Sequence, residues 1–402
     1  MRYKIDQLVQ LIMDYRGKTP KKLGMNWTEN QCDIVALSAK NIKDNKIVNT
    51  DKSHYGSESL YKRWMKDGDI EPGDILITSE APLGEVYLIT KPIKAILSQR
   101  LFLLRFNKNI VNPWYIFAFM NSQSFKNKLF SKATGTTVVG IKQKELRKIE
   151  IDLPNIRLQN KVGDIFRVIY KKIIINEIIN DNLMEQLENE FHNLFFESFN
   201  SKSFTLSSLV IETIAGDWGK TTLQKNFDTK TTIIRGTDFQ DITMGRSSNA
   251  PTRYVKKKNL INKELQQSDV VVEISGGSPT QSTGRSLLIT NEIKNSFKLP
   301  ILGTNFTRTF KTENLENAIL LKSYLQFLYL KRLFFNYENG TTGIKNLDYK
   351  NVLNIKLPDV RTNKLFKNYI KKYILFYKFI IKLGKQNKTL ESIKDAFLKL
   401  YF

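Results

Sequence analysis

One cysteine and two histidines in 402 residues close off several chemistries at the outset. Cys32 has no second cysteine to pair with, so no internal disulfide framework holds the fold. Its expected place is that of a small buried apolar group. His54 and His192, even with Cys32, cannot assemble a zinc cluster of the usual nitrogen and sulfur type. His192, set among Phe191, Leu194 and Phe195, reads as a helix residue rather than a general base. Long apolar runs are missing too. "IIINEII" and "YILFYKFIIKLG" are both cut by polar residues, well short of the roughly 20 residues that a membrane-spanning helix needs. Met1 to Gln10 lacks the apolar core of a signal peptide.

Nucleotide and catalytic motifs are equally scarce. "GGSPTQSTGRS" at 276–286 is glycine-rich, but Gly277 and Gly284 are too far apart for a phosphate loop, and Arg285 stands where lysine is required. "GDWGKTT" lacks the first glycine of that pattern, and no G-x-G-x-x-G occurs for a dinucleotide or S-adenosylmethionine turn. Pro358-Asp359 has no Glu-x-Lys after it to complete a metal-dependent nuclease centre. Asp69, Glu71 and Asp74 read as loop solubility rather than an acid-base pair.

What the chain has in abundance is positive charge. A formal net charge of +24 favours a polyanion over any small neutral partner. Hydrophobic residues at 41% suffice for cores, and the length favours two or more domains. Residues 1–154 and 201–358 each carry +9, 155–200 carry −2, and 359–402 carry +8. Two equally basic globular halves are thus joined by a nearly neutral segment.

The halves also resemble each other in order. "ATGTTVVGIKQKELRKIEIDLP" at 133–154 faces "ENGTTGIKNLDYKNVLNIKLP" at 338–358. Upstream, "DYRGKTP" at 14–20 faces "GDWGKTT" at 216–222, and "DIVALSAKNI" at 33–42 faces "KTTIIRGTDF" at 230–239. "GDILITSEAPLGEVYLI" at 73–89 faces "SDVVVEISGGSPTQSTGRSLLI" at 268–289, each predicted as a β-hairpin with a long, adaptable tip. So long a period means domain duplication, since solenoid units are roughly 20–50 residues.

The segments 155–200 and 359–402 are predicted as long helices. Phe166, Ile169, Ile173, Leu183 and Leu187 fall on one line in the first, and Tyr373, Ile380, Leu383 and Leu390 fall on another in the second. Asn176, Asn180 and Asn387 sit in the same seam, where they would fix register, while Gly384 weakens its helix locally. Each helix either packs back on its own domain or pairs with the other. Sustained length favours pairing, and topology then makes the pair antiparallel. Ile174, Ile178, Ile374 and Ile381 lie off the seam, available to a partner protein.

Together these features resemble the specificity subunit of type I restriction-modification systems, HsdS-like, over essentially the whole chain. The paired GTT…GIK segments, each leading into a long helix, and the "RGKTP" opening carry the likeness. The second half departs from it with "WGKTT" and a shortened "GTTGIK". The resemblance implies an α+β protein: two mixed α/β target recognition domains separated by an antiparallel, coiled-coil-like pair of long helices with pseudo-two-fold symmetry. It implies target recognition domain 1 at 1–154, a central spacer helix at 155–200, domain 2 at 201–358 and a C-terminal spacer helix at 359–402. The subunit would not be an enzyme. Each domain would read one half of a bipartite, asymmetric double-stranded DNA target, and the helices would dock two methyltransferase (M) subunits. Restriction (R) subunits would complete the complex, with no membrane involved and a prokaryotic cytoplasmic setting. No cofactor is expected on this chain; S-adenosylmethionine, Mg2+ and ATP belong to the partners.

Affinity for DNA needs Lys and Arg at phosphates, and discrimination needs side chains at base edges. The candidates in the first half are Lys18, Lys21, Lys22, Ser79, Glu80, Arg100 and Lys142. Those in the second are Lys220, Arg235, Arg253, Ser275, Gly276, Ser278, Gln281, Arg285 and Lys345. Any one of them is also readable as an ordinary surface group. The GTT turns at 135–137 and 340–342 either face phosphate through backbone N–H groups or simply turn the chain. The alternative function is a non-enzymatic two-domain adaptor that binds RNA or an anionic surface.

Overall fold

Five of the six residues in the strand Leu101–Phe106 are buried, the mark of a strand covered on both faces. The computed structural model, which describes every residue except Ser247, Pro279, Thr341 and Thr342, shows what covers it. Phe102, Leu104 and Phe106 enter one core with Ile75 and Ile77, while Leu101 and Leu103 enter another with Leu76 and Met13. The strand lies between Val9–Asp14 and Ile75–Thr78, antiparallel to both, and Val86–Leu88 completes the sheet. A smaller sheet places Ile34–Leu37 antiparallel to Tyr55–Gly56 and parallel to Ile96–Leu97. Arg2–Lys4 pairs with Glu150–Asp152, just ahead of the central helix.

The second half builds the same arrangement. Glu212–Ala215, Thr307–Lys311, Val270–Glu273 and Ser286–Leu288 form its four-stranded antiparallel sheet, in the same order. Thr229–Ile234 lies antiparallel to Thr252–Val255 and parallel to Ile301–Gly303. Ser203–Thr205 pairs with Lys356–Pro358. Both hairpins expected at 73–89 and 268–289 are present. The fold mixes helices and strands, as α+β requires.

Sequence resemblance understated one copied feature. Asp74 is wholly buried, and Arg105 grips it with Nε and Nη2, both at 2.8 Å. Arg105 also reaches Glu71 at 2.7 Å and the Asp69 carbonyl at 2.7 Å. In the second half Lys311 holds Asp269 at 2.8 Å. Each aspartate also accepts a backbone N–H three residues earlier, Glu71 at 2.8 Å and Gln266 at 2.7 Å. Glu71 and Asp74 are therefore parts of a structural ion-pair network, to which Asp69 adds its carbonyl while its carboxylate accepts from Tyr61 OH, and none of the three is merely loop solubility. Removing one partner of such a buried pair costs about 3–5 kcal/mol.

Two long helices, Ile156–Glu197 and Phe366–Tyr401, are shared between two compact units: Met1–Lys172 with Glu391–Phe402, and Ile173–Leu390. In the first unit Val162 and Phe166 join the domain core with Phe397 and Leu398, and the Phe166 and Phe397 rings are 6.3 Å apart. In the second, Leu187, Phe191, Leu194 and Phe195 share a core with Phe366, Tyr369, Tyr373 and Tyr377. Asn176 Nδ2 donates to Gln386 Oε1 at 2.8 Å and to Asn387 Oδ1 at 2.7 Å; Asn387 donates to the Ile173 carbonyl at 3.1 Å, and Asn180 to the Ile380 carbonyl at 3.2 Å. Partner numbers fall as these rise, so the helices run antiparallel there. The two alternatives are both realised: the helices pair, and each also packs on globular core. Phe166, Ile169, Ile173, Leu187, Tyr373, Ile380 and Leu383 are buried, and Leu183 and Leu390 are half-buried. Asn176 Oδ1 and Asn180 Oδ1 are buried with no hydrogen-bond partner among the described residues, a cost of about 1–3 kcal/mol each that fits polar seam residues specifying register.

Three expectations need correction. Cys32 is exposed, because it sits in a loop turn where its N–H donates to Asn30 Oδ1 at 3.0 Å. Ile381 is 2% exposed, because the backbone at Gly245, just after the helix Phe239–Thr243, lies on it; Ile374 is half-buried against the same core, Ile174 is half-buried, and Ile178 is exposed. Gly384 is more than a weak point in its helix. A Cβ there would stand 2.2 Å from the Met244 carbonyl oxygen and 2.6 Å from Gly245, so only glycine admits that backbone.

Lys322, on the helix Leu315–Leu330, is 5% exposed. It donates to Gln326 Oε1 at 2.8 Å, and Gln326 in turn donates to Glu188 Oε1 at 3.0 Å. Burial pushes the Lys322 ammonium down to about 8, with Glu188 opposing. Burial likewise pushes the Glu188 carboxyl up.

Two outcomes follow. Gly384→Ala gains about 1 kcal/mol of helix propensity yet is expected to lose about 2 kcal/mol net through overpacking; a denaturant midpoint at or above that of the parent would show that the backbones separate freely. Between pH 8 and 10.5, unfolded Lys322 still holds a proton that the folded residue has released, so its contribution to stability rises with pH across that window. Tyr369 and Tyr377, raised by burial, act oppositely and only above pH 10. Lys322→Met should raise the thermal midpoint at pH 7 by roughly 5 °C and flatten the rise between pH 8 and 10. An unchanged slope in a melting series would assign the titration to another group.

Candidate nucleic-acid interface

The turn after Val9–Asp14 opens a cavity of about 800 Å3 in the first domain. It is walled by Lys18–Lys21, Asn26 and Trp27, Ser38–Asn41, Asn49–His54 and Ser98–Arg100, with Ala36 and Ala81. Gly17, at φ +75°, turns the chain, and Lys18 N–H donates to the Tyr15 carbonyl at 3.1 Å. Ser38 and Asn41 cap the short helix Ala39–Asn41 reciprocally. The buried Asn41 amide then holds the next loop, donating to the Val48 carbonyl at 3.0 Å and to Ser53 Oγ at 2.8 Å. Lys40, Lys52 and His54 are presented exposed beside it. Arg100, at φ +63°, accepts from Ser79 N–H through its carbonyl at 2.9 Å, and its guanidinium meets Glu80 at 2.9 Å. Glu80 thereby aims the arginine at the cavity rim.

Of the other candidates in the first half, Lys21, Lys22 and Lys142 are exposed. Lys18 is half-buried, donating to the Trp64 carbonyl at 2.7 Å, and burial lowers its pKa. It lines the cavity but is tied to the core. Ser79 is 1% exposed, so it does not reach bases; it lies inside because its carbonyl accepts Ile141 N–H at 2.9 Å, which braces the hairpin tip against the GTT…GIK segment. In that segment Thr134 and Gly140 exchange backbone hydrogen bonds at 2.8 and 3.0 Å. A Cβ on Gly135 would stand 2.2 Å from the Val138 carbonyl oxygen, so the sequence GTT is first of all a tight turn.

The second half gathers its cations differently. Arg235 holds Asp238 at 2.9 Å, Arg285 holds Glu273 at 2.6 Å, and Lys345 holds Glu338 at 3.0 Å. These carboxylates are almost fully buried, and they raise Arg235 and Arg285 through their hydrogen bonds. Each cation first of all organises its own backbone, Arg235 the turn 235–238, Arg285 the hairpin at 268–289 and Lys345 the strand pair at 338–347, because its charge is already neutralised there. Ser275 pairs with Asn346, Ser278 accepts from Gln281 N–H at 3.0 Å, and Gln281 donates to Tyr329 OH at 3.2 Å. Gly276, at φ +143°, lies beside Glu273. The second GTT turn falls partly on Thr341 and Thr342, outside the described residues. Lys220 and Arg253 belong to aromatic pairs instead, Lys220 exposed and Arg253 half-buried. Arg253 covers Trp218 at 4.3 Å, and Phe227 has Lys220 at 5.7 Å and Lys256 at 5.2 Å.

Sequence reasoning missed Trp27, Lys40, Lys52, His54, Gln99 and Trp218. Lys40 lies inside "DIVALSAKNI" and Trp218 inside "GDWGKTT", and the match between the two halves was the available signal for both; the rest are scattered, and nothing local marks them. Among the described residues, no group of three His, Cys, Asp or Glu is placed to hold a metal ion, and no helix is long and apolar enough to cross a membrane.

Residues 3–185 match the family model for the type I restriction modification DNA specificity domain. No curated protein sequence matches the chain. Among solved structures, the S subunit of the type-I restriction-modification system from M. genitalium is similar at a TM-score of 0.58 and 16% identity, covering 99% of this chain and 95% of that one. The HsdS subunit from Thermoanaerobacter tengcongensis aligns at a TM-score of 0.33 and 14% identity, covering 99% and 95%. The shared fold is argued from the former alone.

If Asn41 holds the loop that carries Lys52 and His54, Asn41→Ala leaves the Val48 carbonyl and the Ser53 hydroxyl without the amide that donates to them. The expected result is a loss of about 1–3 kcal/mol with faster amide exchange at 48–53. Protection unchanged there would assign the loop's order to other contacts.

Proposed function

We propose, from the match of residues 3–185 to the family model of the type I restriction modification DNA specificity domain, that this chain is the DNA sequence-recognition subunit of a type I restriction-modification complex. It is a non-catalytic subunit. The observation that carries this reading is the sheet topology built twice, each copy ending in a basic, aromatic-bearing rim. A single DNA reader needs one such face; an asymmetric, bipartite target needs two that differ. The adaptor alternative finds no support in the comparisons.

In this reading each domain takes one half of the target. Lys21, Lys40, Lys52 and Arg100 meet phosphates in the first domain, and Lys220, Lys256 and Arg253 do so in the second, with Gln99 and Asn26 among the base-edge readers. Methylation and cleavage reside in partner methyltransferase and restriction subunits, which would carry S-adenosylmethionine, Mg2+ and ATP, in a prokaryotic cytoplasm. For methyltransferase docking, the helical face at Ile175, Ile178, Leu375 and Phe379, 45–65% exposed, replaces the buried Ile381. Large exposed apolar side chains on a helix mark a contact surface.

The test is co-expression with an N6-adenine methyltransferase subunit and mapping of methylated adenines. Replacing residues 1–154 by the corresponding segment of another family member should change one half of the methylated motif and leave the other. Changes in both halves would sink the assignment of one half to each domain. Replacing Lys40 and Lys52 by Ala should lower the salt dependence of DNA binding by roughly one unit of slope per phosphate lost.

A further inference from the structure

We propose that the cavity of the first domain receives one unstacked nucleotide, its base lying on the outer face of His54 and its phosphate among the surrounding lysines. This rests on the reading of that domain as a DNA reader and names what the cavity holds.

Three rings run outward from the core to the cavity. Trp64 is fully buried, and its Nε1 donates to the Leu97 carbonyl at 2.8 Å. Trp27 lies over it at 5.4 Å with a 41° tilt, and His54 lies on Trp27 at 5.3 Å, only 6° from parallel. The His54 backbone is fixed as well, its carbonyl accepting Ala36 N–H at 2.8 Å. The inner face of the imidazole is thus occupied, while the residue is exposed and lines the cavity. An aromatic stack that ends at a cavity wall offers one flat face to a flat ligand.

The surroundings narrow the ligand class. Lys21, Lys40, Lys52 and Arg100 line the same cavity, and Asn26 and Gln99 add amide donors and acceptors. A planar ring that carries an anion and polar edges is a nucleotide. At about 800 Å3 the cavity lies within the roughly 300–1,000 Å3 range of small-ligand sites. Bases inside an intact duplex have both faces covered by their neighbours, so only an extrahelical base or a free nucleotide can add the next layer.

The experiment compares two duplexes of the same arbitrary sequence at low salt, one fully paired and one with a single-nucleotide bulge, by fluorescence polarisation with the full-length chain. The bulged duplex is expected to bind about tenfold more tightly. His54→Ala should abolish that preference, and His54→Phe, which keeps a flat ring, should retain it. Displacement of the bulged duplex by free dAMP assigns the cavity to nucleotides from either source; failure of dAMP to displace it assigns the cavity to a nucleotide within a strand. Equal affinity of the parent protein for the two duplexes overturns the proposal and leaves the DNA-reading function standing, as does a preference that survives in His54→Ala. Binding to neither duplex counts against the DNA-reading function itself.

Discussion

Each globular core is closed by helical side chains that come from two distant parts of the chain. In the first unit Phe166 and Phe397, 231 positions apart, fill one core, and in the second Phe191 and Tyr369, 178 apart, fill another. A sheet with one face open to water loses roughly 25 cal/mol for every Å2 left uncovered, so neither half of the sequence is self-sufficient without its share of both helices. The helices are therefore core elements first, and any role as a spacer is built on side chains already committed to folding. This is why the compact units divide inside the helices.

The duplication explains the placement of charge inside the protein. Asp74 with Arg105 and Asp269 with Lys311 occupy matching positions at strand starts, and in both copies the aspartate also caps the preceding turn. Burying a charge is expensive unless it is paired and hydrogen-bonded. Once an ancestral unit had such a pair, losing either member would leave the other stranded, which accounts for its presence in both copies despite the change from arginine to lysine.

Much of this was legible in the sequence where the signal is periodic or ordered. The long helices and most seam residues come from spacing, the hairpins from the order of the repeated segments, and the antiparallel sense from topology. Gly384 was misread because helix propensity is a local quantity, whereas its purpose lies in the backbone at Met244 and Gly245, about 140 residues earlier. Asp74 looked like a loop carboxylate for the same reason: its partner lies 31 positions away. The cavity was invisible because Trp27, Lys40, Lys52, His54 and Arg100 come from four segments that only the fold brings together. Arginines 235 and 285 were chosen for charge alone, and charge does not say which arginine is already neutralised.

The two rims diverge where the scaffold does not, and energetics gives the reason. Arg16 of "RGKTP" clamps Asp14 at 2.7 Å and lies 4.1 Å over Phe102. In the second copy Trp218 stands at that position and Arg253 covers it. Substitutions at exposed positions usually change stability by less than about 0.5 kcal/mol, while breaking a buried pair costs about 3–5. Drift is thus restrained in the ion pairs and sheet registers and almost unrestrained on the rims. A protein whose task is to tell one DNA sequence from another must vary its contact residues while keeping them in place. A duplicated scaffold whose buried pairs and registers are restrained while its rims are not separates those two demands, so that the two rims change without relearning the fold.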